Sequence, residues 1–149
     1  AAFNVSRDPA RTPMQWDNTP YADFSTHEPW LPLTEDHRMR NVATLQSDAY
    51  SILCLYKNLL TLRRRFKALH MGDWRRLDAP EKILAYERRH DGERIFVALN
   101  FGDVAAHVPL PTNGRLLLST QGDRTDESIT NALRLRGDEG VIIAASPTN

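Results

Sequence analysis

The sequence of 149 residues has one cysteine, no excess charge of either sign, no basic tract interleaved with aromatics and no long apolar run. A lone Cys54 excludes an intramolecular disulfide framework and reads as a chain of a reducing, cytoplasmic compartment. Nineteen basic residues balance nineteen acidic ones, so neither nucleic acid nor an anionic membrane surface is an expected partner. The densest basic run, Arg63-Arg64-Arg65, falls where a helix should end, and cations there complement the exposed carbonyls. No apolar stretch approaches the roughly 20 residues of a membrane span. The first residues, Ala1-Ala2-Phe3-Asn4, do not read as a signal peptide, and they read equally as a break within a longer polypeptide. Five histidines are scattered without metal-site spacing, so no metal and no cofactor is expected.

What is present divides into three stretches. Residues 1–46 read as a long irregular segment, because Pro9, Pro13, Pro20, Pro29 and Pro32 forbid a continuing helix or a central strand. The same segment holds Trp16, Tyr21, Phe24 and Trp30, too many large apolar groups for a disordered linker. Residues 47–67 read as one long helix, with Ser47 as cap and Asp48 in the first turn. Its apolar face is Ile52, Leu55, Tyr56, Leu59, Leu62 and Phe66, widened by Leu53 and Leu60, with Tyr56 and Cys54 expected in or beside the packed side.

After Gly72 the period changes. Ile83 to Arg89 and Arg94 to Asn100 are β-rich, and His90-Asp91-Gly92-Glu93 between them is a hairpin signal. Short runs follow at 104–110, 115–119, 133–136 and 141–145, separated by Pro111, Asn113-Gly114, Gly122-Asp123 and Gly137-Asp138. The expected class is mainly β with one long α-helix: an antiparallel β-sandwich over residues 73–149, after a first region, 1–72, that cannot cover its own aromatics.

The stretch Ser6-Arg7-Asp8-Pro9-Ala10-Arg11-Thr12-Pro13-Met14-Gln15-Trp16-Asp17 resembles a signature of glycoside hydrolase family 13, the α-amylase superfamily, in its α-glucosidase and oligo-1,6-glucosidase branch. The resemblance continues in order through Ala22-Asp23-Phe24-Ser25, Pro29-Trp30-Leu31-Pro32-Leu33, Asn41-Val42-Ala43, Leu62-Arg63-Arg64, Asp91-Gly92-Glu93-Arg94 and Val97-Ala98-Leu99-Asn100-Phe101. It implies that the chain is the C-terminal portion of such an enzyme. Residues 1–72 would be the last loop and helix of a (β/α)₈ barrel, whose active site lies at the C-terminal ends of its strands.

A retaining glycosidase needs a nucleophilic carboxylate and an acid/base carboxyl held about 5 Å apart. The resemblance places these, and a third carboxylate, upstream of Arg7, so no catalytic residue is assigned here. Asp8 and Asp17 match no catalytic position and read as turn or salt-bridge residues. Arg7 is the one substrate-binding candidate, and only for the parent enzyme: its fork suits a carboxylate and sugar hydroxyls together. Without its acidic partner that role lapses. Arg11, Met14 and Gln15 read as loop architecture, Trp16, Phe24 and Trp30 as buried anchors, His107 as a surface or half-buried residue, and His27 is given no role. Asp23 stands where the family has glycine, a departure that matters if the position needs positive φ.

The resemblance therefore implies a piece of an enzyme acting on α-glucosides, malto- or isomalto-oligosaccharides, with the isolated chain inactive. Three other readings stay open. One is a non-catalytic sugar-binding module, weakened by the lack of a visible cluster of surface aromatics in the β region. Another is a homo-oligomer formed through residues 1–46 and the helix face. The last is a piece of a glucosyl-transferring relative such as a trehalose synthase.

Overall fold

The computed structural model of the chain describes residues 11–146. The chain divides into two compact units, Ala1–Cys54 and Leu55–Asn149. That division falls earlier than the change of periodicity near Met71 to Asp73, inside a helix.

From Arg11 the first unit is turns and irregular chain up to α1, Val42–Ser47. This short helix is fastened to the signature loop by its own N-terminal donors. Val42 N donates to Gln15 O at 2.9 Å, Ala43 N to Trp16 O at 3.0 Å, and Thr44 N to the Asn41 side chain at 2.9 Å. Three amides that a helix start leaves without intrahelical partners are thus satisfied. Asn41 is buried and its Nδ2 donates back to the carbonyls of His37 and Arg38.

The expected cap at Ser47 is not found. Ser47 ends α1, its hydroxyl donating to Thr44 O, and Asp48 accepts from Tyr50 N in the turn that follows. Ser51 does the capping, accepting from Cys54 N at 3.2 Å, and the long helix α2 runs from Ile52 to Arg65, shorter than expected at 14 residues. Six-residue α1 escapes a periodicity argument because it spans less than two turns.

The second unit is mostly β. Its strands are β1 Asp73–Leu77, β2 Ile83–His90, β3 Glu93–Asn100, β4 Ala106–Pro109, β5 Gly114–Ser119, β6 Ser128–Ile129, β7 Ala132–Leu135 and β8 Gly140–Ala145, after a one-turn helix α3, Ala68–Met71. Six form one antiparallel sheet in the order β1-β2-β3-β8-β5-β6, and β4 pairs with β7 in a second. At the β2–β3 turn Asp91 has φ 45° and Gly92 φ 84°, the pair of left-handed residues that an Asp-Gly hairpin needs. The sequence runs at 83–89, 94–100, 115–119 and 141–145 match strands. β1 and β6 are not anticipated: β1 is nearly all exposed and charged, and β6 is two residues long.

Both faces of the large sheet are covered, which explains the near-continuous apolar runs of β3 and β8. Phe96, Ala98, Val141, Ile143 and Leu116 share one core with Val108 of β4 and Leu133 and Leu135 of β7. Ile95, Val97 and Ile142 point the other way and meet Leu59, Leu62, Phe66 and Ala68. Each large side chain so buried contributes about 1.5–3 kcal/mol. The outer half of the expected helix stripe is not covered: Ile52, Tyr56 and Leu60 are exposed, Tyr56 by 61%. The expectation that Tyr56 is a core residue is corrected, because Tyr56 shares with Ile52 and Leu60 the edge of the stripe that turns away from Leu59, Leu62 and Phe66, the residues that meet the sheet.

Two turns of the second unit are tied by Asn100, whose Nδ2 donates to Val104 O and Arg136 O, both at 2.9 Å, while its Oδ1 accepts from Gly102 N. Next to this tie Gly137 lies so close to Asp103 that an added Cβ would stand 2.2 Å from the Asp103 carbonyl oxygen. Backbone cannot yield as a side chain can. Gly137→Ala should lower stability by about 1–3 kcal/mol, read as a fall in the urea midpoint at unchanged slope.

Candidate functional site

Arg7, the substrate-binding candidate, and Asp8 lie outside the described residues. The site can therefore be built only from Arg11 onward. The loop from Gln15 to Phe24 is held by backbone and turn chemistry. Trp16 N donates to Ala22 O, Ala22 N to Thr19 O, and Asp23 N to the Thr19 hydroxyl, each at 2.9 Å. Gln15 Nε2 donates to Thr34 Oγ1, which in turn donates to Asp36 at 2.7 Å, so the loop's two limbs are joined by side chains.

Asp17 closes the turn. Its carboxylate accepts from the Thr19 hydroxyl at 2.6 Å and the Thr19 amide at 2.9 Å, and these bonds hold its carboxyl below the usual range. It is a turn residue, engaged locally. Ala22 and Asp23 are both left-handed, φ 55° and 52°. Asp23, at the position where the resemblance implies glycine, thus adopts positive φ, a conformation that favours glycine.

Thr12, Pro13, Met14, Phe24, Trp30 and Leu31 line a cleft of ≈ 280 Å³, predominantly apolar. Trp16, Phe24 and Trp30 were expected as buried anchors, and all three are corrected: they are 48%, 51% and 89% exposed. The reason is a shortage of partners. In this unit the buried residues among those described are Pro13, Ala22, Asn41 and Ser51, too small a set to enclose an indole. His27 is exposed, 3.3 Å from Thr26 Oγ1, His107 is exposed on β4, and half-buried Cys54 donates to Leu45 O.

In the second unit two fully buried carboxylates compete for attention, Glu87 and Glu139. Neither is fit for proton transfer. Glu87 Oε1 lies 2.7 Å from Arg94 Nε, and Oε2 lies 2.9 Å from Arg89 Nε and 3.1 Å from Arg75 Nη2. Burial works to raise its pKa, but Arg89 and Arg94 outweigh burial and hold it below its ordinary value. Glu139 accepts from the Ser119 hydroxyl at 2.7 Å, Arg136 Nη2 at 2.7 Å and the Arg136 amide at 2.8 Å, with Arg124 Nη1 at 3.3 Å. Here too burial opposes the charge, and Arg136 first, then Ser119 and Arg124, bring the pKa down to about 2. A general acid near neutral pH needs the opposite shift.

Neither glutamate stands out in the sequence as a site residue. Glu87 carried a signal, since it has the inward parity of Ile83 and Ala85; Glu139, in a turn, carried none. Among the described residues no group of three His, Cys, Asp or Glu could hold a metal ion, and no helix is long and apolar enough to cross a membrane.

From Arg11 onward the described residues form an irregular loop, helices α1 to α3 and a β unit whose buried carboxylates, Glu87 and Glu139, are held ionised by arginines. The model of the α-amylase catalytic domain matches residues 1–72, and that of the maltogenic amylase C-terminal domain matches residues 75–136. The chain belongs to glycoside hydrolase family 13, the α-amylase superfamily, and corresponds to its C-terminal portion. It is similar to an oligo-1,6-glucosidase of Halalkalibacterium halodurans, 34% identical over 137 residues, covering 87% of this chain and 24% of that protein. A protein of Rhizobium meliloti named "Probable alpha-glucosidase" is 36% identical over 105 residues, covering 70% of this chain and 19% of the relative. Among solved structures, the trehalulose synthase MutB from Pseudomonas mesoacidophila MX-45 superposes with a TM-score of 0.79 at 30% identity, over 95% of this chain and 26% of the other. The chain thus spans about a quarter or less of the length of these proteins.

Two outcomes follow for the loop and for the buried carboxylate. Asp23→Gly removes a side chain from a left-handed position and should stabilise the protein by about 0.5–1 kcal/mol in thermal unfolding. Glu139 has a folded pKa below its unfolded 4.5, so its contribution is complete above pH 4.5 and is lost as pH falls through about 2. That difference corresponds to about 3 kcal/mol. Urea unfolding at pH 6, 4 and 2.5 should show the decline, and Glu139→Gln should flatten it while lowering stability at pH 6.

Proposed function

We propose that this chain is the C-terminal segment of an α-glucosidase that hydrolyses terminal α-1,4 and α-1,6 bonds of oligosaccharides with retention, and that the segment alone is catalytically silent. The observation that carries the reading is the pair of family matches in collinear order, residues 1–72 and then 75–136, with α-glucosidases and oligo-1,6-glucosidases as relatives. Chemistry supports the silence. Retention needs two carboxyl groups about 5 Å apart with unlike pKa values, whereas Glu87 and Glu139 are both neutralised by arginines and Asp17 is tied into a turn. In the parent, Arg7 would reach the pocket that holds the terminal glucose, and the β unit would be the sandwich that closes the barrel's last helix. The lone Cys54 supports a cytoplasmic setting.

Two observations favour companion readings. The similarity to trehalulose synthase supports a glucosyl-transferring parent as the alternative chemistry. The exposure of Ile52, Tyr56 and Leu60 at intervals of four along α2 supports self-association through that face. The test is hydrolysis of an aryl α-glucoside by the purified chain, with its mass in solution recorded alongside. We expect no turnover and a mass above the monomer's. Turnover that survives purification to homogeneity would place catalytic carboxylates within these residues and sink the silent-segment reading; a strictly monomeric mass would sink self-association alone.

A further inference from the structure

Strand β1 carries a feature that the family signature does not absorb. The register sets Trp74 opposite Arg88 and Arg76 opposite Tyr86. Residues two apart on a strand share a face, so these four side chains form a checkerboard in which the aromatics are diagonal neighbours, and so are the guanidiniums. The Trp74 and Tyr86 ring centroids lie 6.0 Å apart with planes tilted by 35°. Tyr86 is half-buried against the core of Ile95, Val97 and Ile142, and Arg88 is fixed by donating to Ala68 O at 3.1 Å. Trp74 is 55% exposed on the edge strand of the large sheet, and Arg76 beside it is exposed too.

The result is one large flat ring, held by a second ring and a packed strand, with an exposed guanidinium at its margin. Such a surface has already lost the freedom that binding would otherwise cost. A pyranose presents its complement: an apolar C–H face for the indole and a rim of hydroxyls for a guanidinium that has no fixed acceptor geometry to satisfy. A single accessible ring is too little for a series of stacked nucleobases, and the chain's zero net charge gives a polyanion no wider field to follow.

We propose that Trp74, buttressed by Tyr86 and flanked by Arg76, forms an auxiliary binding subsite for an α-linked gluco-oligosaccharide, built without any residue of the signature loop. The choice of α-linked glucose rests on the α-glucosidase reading above; the platform itself rests on the strand geometry. The pair is one exposed indole on a half-buried phenol, from residues twelve apart in sequence that meet only across two strands.

The test is calorimetric titration of the full chain with maltohexaose, and with cellohexaose as the β-linked control. We expect weak binding, on the order of millimolar, and a roughly tenfold or greater loss in Trp74→Ala. Arg76→Ala should weaken binding several-fold, and Trp30→Ala, in the other unit, should bind as the parent chain does. Unfolding midpoints check that each variant is folded; should Trp74→Ala not fold, Trp74→Phe and Arg76→Ala decide, because both retain the strand. No binding by the unaltered chain, parental affinity in the Trp74 and Arg76 variants, or loss of binding in Trp30→Ala would each overturn the proposal, and equal binding of cellohexaose would overturn its α-linked specificity. The hydrolysis assay reports on the silent-segment reading independently, so either can fail while the other stands.

Discussion

The β unit depends on a charge that it keeps out of water. Glu139 is buried at the start of β8, and every one of its surroundings has to be where it is for that burial to be tolerated. Removing a carboxylate from solvent costs several kcal/mol, recovered only with good geometry and satisfied lone pairs. Arg136 supplies both a guanidinium and a backbone amide, Ser119 a hydroxyl, and Arg124 a second cation. Those donors come from the end of β5, the loop after it and the turn after β7, so the carboxylate adds side-chain ties to the place where β5 pairs with the start of β8. Asp123 then holds Arg136 from outside at 2.6 Å, completing a chain of alternating charge. Glu87 repeats the device at the other end of the sheet, drawing on three arginines from β1, β2 and β3.

This arrangement sets the chemical character of the unit. Its acidic groups with the most perturbed surroundings are perturbed toward permanent ionisation, which suits mechanical fastening and unsuits them for passing protons. The signature loop is organised on the opposite principle. Its amides and short side chains satisfy one another, while its large apolar groups are left facing outward. A loop that settles its polar accounts internally and leaves its aromatics uncovered is ready to meet apolar surface supplied from elsewhere.

Much of the β region was legible in the sequence because period-two patterning and turn residues agree there: Asp91-Gly92 marks the hairpin, and the runs through Phe96 and Ile142 mark the two doubly covered strands. What was not legible fails for identifiable reasons. Strand β1 is recruited by its partner rather than by its own composition, since Asp73-Trp74-Arg75-Arg76 is mostly charged. Ser47 and Ser51 are both cap residues by type, but Ser47 is the last residue of α1 and Ser51 caps α2. Burial of Trp16, Phe24 and Trp30 was inferred from side-chain type, whereas burial is a property of the neighbours available. The family was readable from the first motif, yet Arg7, the residue of that motif proposed to bind substrate in a parent enzyme, lies outside the described residues.

The edges of the large sheet have a bearing on how the molecule behaves in a crowded solution. An open sheet offers unpaired amides and carbonyls to any other strand. At one side the offer is made by β1, whose Asp73, Arg75 and Arg76 would have to be dehydrated by an incoming strand; at the other it is made by β6, two residues long and unable to template a ladder. Addition of a seventh strand to the large sheet is therefore disfavoured at both of its ends, by charge at β1 and by brevity at β6.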